Sequence, residues 1–359
     1  MTQVGAEIGS VLDQLDARQP KMVLTIDEDT LPLTNLDKVL WPGAGRKGGL
    51  TKRDLLRYLT LVSPWLLPHL KGRPMFTTRY PDGVNGKSFY QKHWNKPPAF
   101  ARTVTIYSSH NEGDSDYLIC DNLATLLFLA QMGGLELHPW FSRVDTTPDA
   151  RGKSKNFSGS EENLERSVLN YPDFVIFDLD PYLYSGREGK GEEPELHRKA
   201  FRQTCDLALR LRDLLAGLGL EIYAKTSGRT GLHLYLPIVR KFDYDAARTI
   251  AETIGRYALQ QWPREVTLEW AVVRRTGKIF FDYNQNSRGK SLASIFCPRR
   301  HPLGTVSMPV EWDQLGRIYP TDFTLRTVPA LLEEQGDPWA DILSAKQDLA
   351  QLLESRGAV

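Results

Sequence analysis

The sequence predicts an α+β protein, and three observations carry that reading. An apolar strand at Asp173–Leu179 precedes a helically spaced run, Leu196–Leu215, with Ala200, Leu207, Leu211 and Leu214 on one face. Two strand-like segments follow, Glu221–Lys225 and Leu232–Pro237, joined by Thr-Ser-Gly-Arg-Thr-Gly. A second helix, Tyr244–Gln261, then leads to strands at Val266–Trp270 and Lys278–Tyr283. Strand, helix, strand, strand, helix, strand is the split βαβ order of RRM-like sheets.

An N-terminal α/β module is expected ahead of that sheet. Thr51-Lys-Arg-Asp54 before Leu55, Leu56, Leu59 and Val62 reads as a capped helix start, ended or kinked by Pro64 or Pro68. Met75–Tyr80, Arg102–Tyr107 and Leu135–His138 read as strands, with a turn at residues 81–83 and a short apolar helix over Asp121–Gln131. Residues 145–171 and Tyr182–Pro194 are polar and glycine-rich, and are expected as loops. The domain expectation is an N-terminal arm (1–30), a catalytic domain (31–320, with modules 31–144 and 171–320) and a helical tail (321–359).

With 45 basic and 44 acidic side chains the chain is nearly neutral, so affinity for a polyanion has to come from patches. Leu36–Thr103 carries 13 basic residues against three acids, and Arg274–Arg300 carries seven against Asp282 alone. Two basic regions suggest one anionic partner gripped from two sides, with solvated faces as the alternative. Apolar runs are too short to span a bilayer, and Cys120, Cys205 and Cys297 have no CxxC spacing. A soluble, cytoplasmic protein with no membrane partner is expected.

Asp178 and Asp180 end an apolar strand at i and i+2, so both point to one face. Side-by-side carboxylates need a cation between them, and hard oxygen ligands suit magnesium or manganese. Asp282, ending Lys278-Ile-Phe-Phe-Asp, offers a third acid. Three such acids could hold two ions about 4 Å apart for nucleotidyl transfer; the alternative is a simple strand-end turn. The turn Thr226–Gly231 has small residues whose N–H groups can converge on a triphosphate, with Ser227 adding a hydroxyl and His233 pointing back toward it. A plain hairpin turn would look similar. Lys52 sits at a helix start and Lys38 lies near it in sequence, a setting that favours a phosphate. Phe89 and Tyr90 stand among cations as base-stacking residues do, or else belong to the core. His138 is left open between core and site.

Several motifs keep a recognisable order: Leu36-Asp-Lys-Val-Leu-Trp-Pro42, Arg79-Tyr-Pro-Asp-Gly83, Ser88-Phe-Tyr90, Phe177-Asp-Leu-Asp-Pro181, Thr226-Ser-Gly228 with Gly231-Leu-His233, and Asp282-Tyr-Asn-Gln-Asn286. Together they resemble the polymerase domain of bacterial ligase D, of the archaeo-eukaryotic primase-polymerase superfamily, over residues 30 to 320. The resemblance implies a primase-polymerase fold and assigns Asp178, Asp180 and Asp282 to catalysis and metal binding. It implies nucleotide contacts by Ser227, His233, Lys290, Arg299, Gln285, Arg275, His138, Phe89 and Tyr90. Lys38 and Lys52 match lysines that hold the 5′-phosphate of a downstream strand. It further implies two manganese or magnesium ions, nucleoside triphosphate substrates with ribonucleotides preferred, and DNA with gaps or ends bearing a 5′-phosphate. Ku and a separate DNA ligase are the implied partners, in end joining or gap repair at the nucleoid of a prokaryote.

The chain contains no KxDG ligase motif, so a stand-alone polymerase is expected. A primase or translesion polymerase of the same superfamily is the nearest alternative, and a non-catalytic DNA-end-binding module is the alternative of another class. A haloacid-dehalogenase-type phosphatase also places a DxD after an apolar strand, but Tyr182 stands where that family has Thr or Val.

Overall fold

The computed structural model describes residues 3–44 and 48–350; Arg46 and Lys47 of the basic segment, and the tail beyond 350, lie outside the described residues. The chain opens with α1 (Gln3–Leu15), the hairpin β1 (Met22–Ile26) and β2 (Asp29–Leu33), and a short pair, β3 (Val39–Trp41) and β4 (Leu50–Thr51). The N-terminal segment, expected as a peripheral helix or a loose arm, holds the helix α1 and is part of the core. Val11, Leu15, Leu24, Ile26, Leu31 and Leu33 are all buried, because the hairpin alternates apolar residues inward against α1 and its neighbours.

Helix α2 (Lys52–Leu70) starts in a capping box, with Thr51 accepting from the Asp54 N–H and Asp54 accepting from the Thr51 N–H. It is not ended by Pro64 or Pro68, both of which lie inside it. Pro64 has no N–H for the Thr60 carbonyl, but Ser63 Oγ donates to that carbonyl at 2.8 Å, so the helix continues without an orphaned acceptor. Next come β5 (Pro74–Arg79), β6 (Phe89–Gln91), β7 (Arg102–Ser108), β8 (Gly113–Ile119), α3 (Leu123–Gln131) and β9 (Gly134–Pro139). These strands form one sheet in the order β6-β5-β8-β7, with β9 also pairing β5.

Residues 145–171, expected as a loop, hold α4 (Glu161–Arg166) and a 3₁₀ turn (Val168–Asn170). Ala150, Phe157, Leu164, Val168 and Leu169 pack there with Ile106, Tyr117 and Trp140 in a small second core. The apolar residues are spaced too widely to show a period, and the segment buttresses the β7–β8 hairpin.

The second sheet contains β10 (Phe174–Pro181), β11 (Tyr223–Thr226), β12 (Leu232–Pro237), β13 (Val266–Thr267), β14 (Ile279–Asp282) and, beyond the short pair β15 (Cys297–Pro298) and β16 (Val306–Ser307), β17 (Pro309–Val310). Its order is β13-β14-β10-β12-β11-β17. The inner run β14-β10-β12-β11 is the split βαβ arrangement the sequence predicts, with α5 (Arg198–Ala216) and α6 (Tyr244–Gln261) as its two helices. Strands β13 and β14 are shorter than expected, because 268–278 leaves the sheet in a loop and a 3₁₀ turn.

One core runs through both sheets. Trp41 Nε1 donates to the Arg299 carbonyl at 3.0 Å and the Tyr58 hydroxyl to the Phe296 carbonyl at 2.6 Å, so the modules are locked together. The tail is likewise integral, with α7 (Val328–Gln335) followed by buried Trp339, Ile342 and Leu349. Lys346 enters a buried ion network, donating to Asp173 at 2.5 Å; Arg73 reaches the same carboxylate at 2.6 Å and Arg143 at 2.9 Å.

Candidate active site

Strand register builds the site. Across β14, β10, β12 and β11, Asp282 faces Asp178, Asp178 faces His233, and His233 faces Lys225. Directly paired residues share a face, so four buried polar side chains form a row across the sheet. Asp180, two residues beyond Asp178, joins the same face. Asn286 fixes the strand end, accepting from the Ile176 N–H at 2.7 Å and donating to the Ile176 carbonyl at 2.8 Å. This gives one residue of the amide run after Asp282 a structural role.

The carboxylates are poised for a cation. Burial, and then Asp180 and Asp282, push the Asp178 carboxyl well above the usual range. Burial followed by Asp282 pushes Asp180 up to about 6, and burial raises Asp282 although Asn284 N–H and Gln285 Nε2 donate to it at 2.9 and 3.1 Å. Asp178 Oδ1 is buried without a hydrogen-bond partner among the described residues, and His233 Nε2 lies 3.5 Å away. Among the described residues no three His, Cys, Asp or Glu side chains gather around one ion-sized point. The trio therefore faces itself without closing a coordination shell. Its hard oxygen donors, mutual repulsion and orphaned oxygen fit magnesium or manganese.

Beside the acids, Ser227 Oγ accepts from the N–H groups of Arg229 and Gly231, both at 3.1 Å, which leaves its own proton free to donate. Gly228 has φ +71°, and a Cβ there would stand 2.5 Å from Arg299 Cγ; at Gly231 it would stand 2.1 Å from the Leu179 carbonyl oxygen. Glycine is required at both positions by close approach. Lys225 is fully buried and donates to the Ala293 carbonyl at 2.8 Å and to Ser307 Oγ at 2.5 Å. Burial and then Arg299 lower its ammonium to about 7.

His138, Asp178, Asp180, Ser227, His233 and Arg299 line one cleft of about 230 Å³. Four of the seven buried side-chain polar atoms without a partner among the described residues belong to it: Asp178 Oδ1, His233 Nδ1, Ser291 Oγ and Arg299 Nε. Buried polar atoms are nearly always satisfied in native proteins, so their convergence marks a ligand site.

His138 is both packed and in the site, stacked on Phe76 at 4.9 Å and hydrogen-bonded to Thr78 Oγ1 at 3.0 Å. Tyr90 and Phe89 are 67% and 46% exposed, which decides against a core role. Tyr90 stands 6.4 Å from His138, whereas Phe89 lies under the Arg79 guanidinium. Gln285 holds Asp282 and Lys290 is exposed nearby. Arg275 is less free than its motif suggests. It lies over Phe280 at 3.5 Å and donates to the Glu269 and Trp270 carbonyls and the Tyr182 hydroxyl.

The two lysines are adjacent but engaged. Lys38 pairs with exposed Asp82 at 2.7 Å, and Lys52 is buried, donating to the Gln131 carbonyl at 3.0 Å. Sequence reasoning gave no role to Glu136. Its signal was position alone, two residues before His138 and so on the same strand face.

The model of the LigD primase-polymerase domain matches residues 51–339. A bifunctional non-homologous end joining protein LigD of Bacillus subtilis is 30% identical over 323 residues, covering 89% of this chain and 45% of its own length. A multifunctional non-homologous end joining DNA repair protein LigD of Mycobacterium tuberculosis is 31% identical over 290 residues, with 80% and 34% covered. The chain thus spans less than half of the relatives' length. Among solved structures, the polymerase domain of M. tuberculosis ligase D in complex with DNA superposes with a TM-score of 0.71 at 28% identity, over 88% of this chain and 99% of that one.

Proposed function

The chain belongs to the LigD primase-polymerase domain family, and we propose that it is a template-directed nucleotidyltransferase that extends a primer 3′-hydroxyl at short gaps or broken ends. One observation carries the reading: Asp178, with its orphaned oxygen and with Asp282 and His233 as its two cross-strand partners, opens with Asp180 and His233 on the same cleft as the Ser227 turn.

Asp178, Asp180 and Asp282 would hold two manganese or magnesium ions, which lower the pKa of a primer hydroxyl and neutralise a pyrophosphate leaving group. The chain's own residues do the rest. Ser227 donates its hydroxyl proton to a triphosphate oxygen, and Arg299 offers its terminal N–H groups to the same anion. His233, held neutral because burial drives its pKa well down, donates or accepts at one ring nitrogen without adding charge. Tyr90 and Phe89 present exposed rings for the templating strand. Lys38 and Lys52 are proposed for the downstream 5′-phosphate, and Asp82 would have to release Lys38 when it binds.

Ribonucleotide preference, and end joining alongside Ku and a separate ligase, are proposed with this activity. The end joining named for the relatives supports that pathway. The test is primer extension across a one-nucleotide gap with manganese, comparing ribo- and deoxyribonucleoside triphosphates. Extension with release of pyrophosphate is expected, and D178A should abolish it. Wild-type-like extension by D178A, or release of phosphate from simple esters without extension, would overturn the assignment.

A further inference from the structure

Glu136 presents a contradiction of sign. It projects from β9 beside a cleft built to take a polyanion, and it is only 6% exposed. A buried carboxylate is unfavourable unless it is paired and hydrogen-bonded. Here its Oε1 lies 3.3 Å from Arg299 Nε and accepts from the Arg300 N–H at 3.0 Å, while Oε2 accepts from the Tyr80 hydroxyl at 3.3 Å. His138 Nε2 is 3.8 Å from Oε2. The Arg300 guanidinium turns away, donating through Nε to the Val84 carbonyl, so Arg299 is the arginine side chain that Glu136 faces.

Arg299 makes no side-chain hydrogen bond to protein among the described residues, and its stem passes under Gly228 at the Ser227 turn. Glu136 is its ion-pair partner among the described residues, and Asp178, whose Oδ1 is orphaned, lines the same cleft as Arg299.

We propose that Glu136 is a positioning residue for nucleotide binding, holding the Arg299 guanidinium against β9 so that its terminal N–H groups face the triphosphate and it does not collapse onto Asp178. The proposal rests on the nucleotidyltransferase reading above. Burial alone would raise the Glu136 carboxyl, yet Arg299, and then His138, hold it well below the usual range, as a permanent anion requires. Removing it would leave Arg299 buried without its ion-pair partner, in the cleft that it shares with the orphaned Asp178 oxygen. Triphosphate and metal sites would then be damaged together, although Glu136 touches neither.

The isosteric variant E136Q tests this, because it still accepts from Arg300 N–H and Tyr80. The readouts are calorimetric binding of a non-hydrolysable nucleoside triphosphate, Mn2+ binding by electron paramagnetic resonance, primer-template affinity and Tm. Nucleotide Kd should rise about tenfold and Mn2+ Kd several-fold, with primer-template affinity unchanged. In an R299Q background, E136Q should add less than about twofold to nucleotide Kd, since the two act as one unit. This cycle also guards against a loss caused by misfolding. Unchanged nucleotide and metal binding in E136Q overturns the proposal, as does an equal loss in the R299Q background. Wild-type protein that binds no nucleotide under any metal overturns the underlying reading as well, and is distinguishable on that account.

Discussion

Asp178 and Asp282 are directly opposed Cα partners across the β10–β14 ladder, and Asp178 is opposed on its other side by His233. Like charges placed opposite each other weaken a sheet. The metal-free fold therefore carries its own destabilisation at the site, and that strain is measurable.

Asp180 exposes it most simply. Its folded pKa is raised to about 6, so its favourable contribution is complete below the ordinary carboxylate value and lost as pH rises through about 6. In EDTA at pH 7.5, D180N should be more stable than wild type by about 1–2 kcal/mol. That gain should fade as pH falls from about 6 toward 4. Thermal melts over that range check it, and a gain that grows with acidity would contradict the assignment.

The ion network behind the sheet has the opposite sign. Burial would raise the Asp173 carboxyl, but Arg73, Lys346 and Arg143 hold it below the usual range. Its contribution is present above the ordinary carboxylate pKa and lost only in strong acid. D173N, by leaving several buried cations uncompensated, should cost about 3–5 kcal/mol in urea unfolding at pH 7. A loss under 1 kcal/mol would mean that the network is not what joins the tail to the core.

Gly228 and Gly231 should differ in what their replacement does to nucleotide binding. G228A presses on the stem of Arg299 and on the Ser307 and Val306 backbone at a positive φ, and should weaken nucleotide binding about tenfold and lower Tm as well. G231A presses on the Leu179 backbone, and should destabilise the fold by about 3 kcal/mol or more. Parallel calorimetry and urea titrations distinguish the two.

The exposed pair Phe89 and Tyr90 should act on nucleic acid alone. Y90A and F89A are each expected to weaken single-strand or gapped-DNA binding by about 1–3 kcal/mol without lowering Tm. Fluorescence anisotropy against salt checks this, and wild-type affinity in both would remove them from the interface.

Much of this was legible in the sequence, for identifiable reasons. The β10–α5–β11–β12–α6–β14 order was readable because α5 and α6 are long with one apolar face, β10 and β12 are near-continuous apolar runs bounded by turn residues, and the acids end strands whose period of two fixes their face. The β1–β2 hairpin, β6, β8 and α4 were not read: β6 and α4 are short, the hairpin strands are five residues each, and β8 opens on Gly-Asp-Ser-Asp, which reads as a turn. Pro64 misled because the compensating bond from Ser63 Oγ to the Thr60 carbonyl, although local, depends on a side-chain rotamer that residue spacing does not show. Glu136 and Lys225 stayed silent for a related reason. Their importance comes from Arg299 and Ser307, which the chain brings to them only through folding.

The central claim, that the opposed carboxylates carry nucleotidyl transfer, is tested most directly by single-turnover incorporation with D282N. At saturating manganese and nucleotide on a preformed gapped-DNA complex, the rate should fall by about a thousandfold or more while DNA affinity is kept. Incorporation within tenfold of wild type would show that Asp282, although it faces Asp178, takes no part in the reaction.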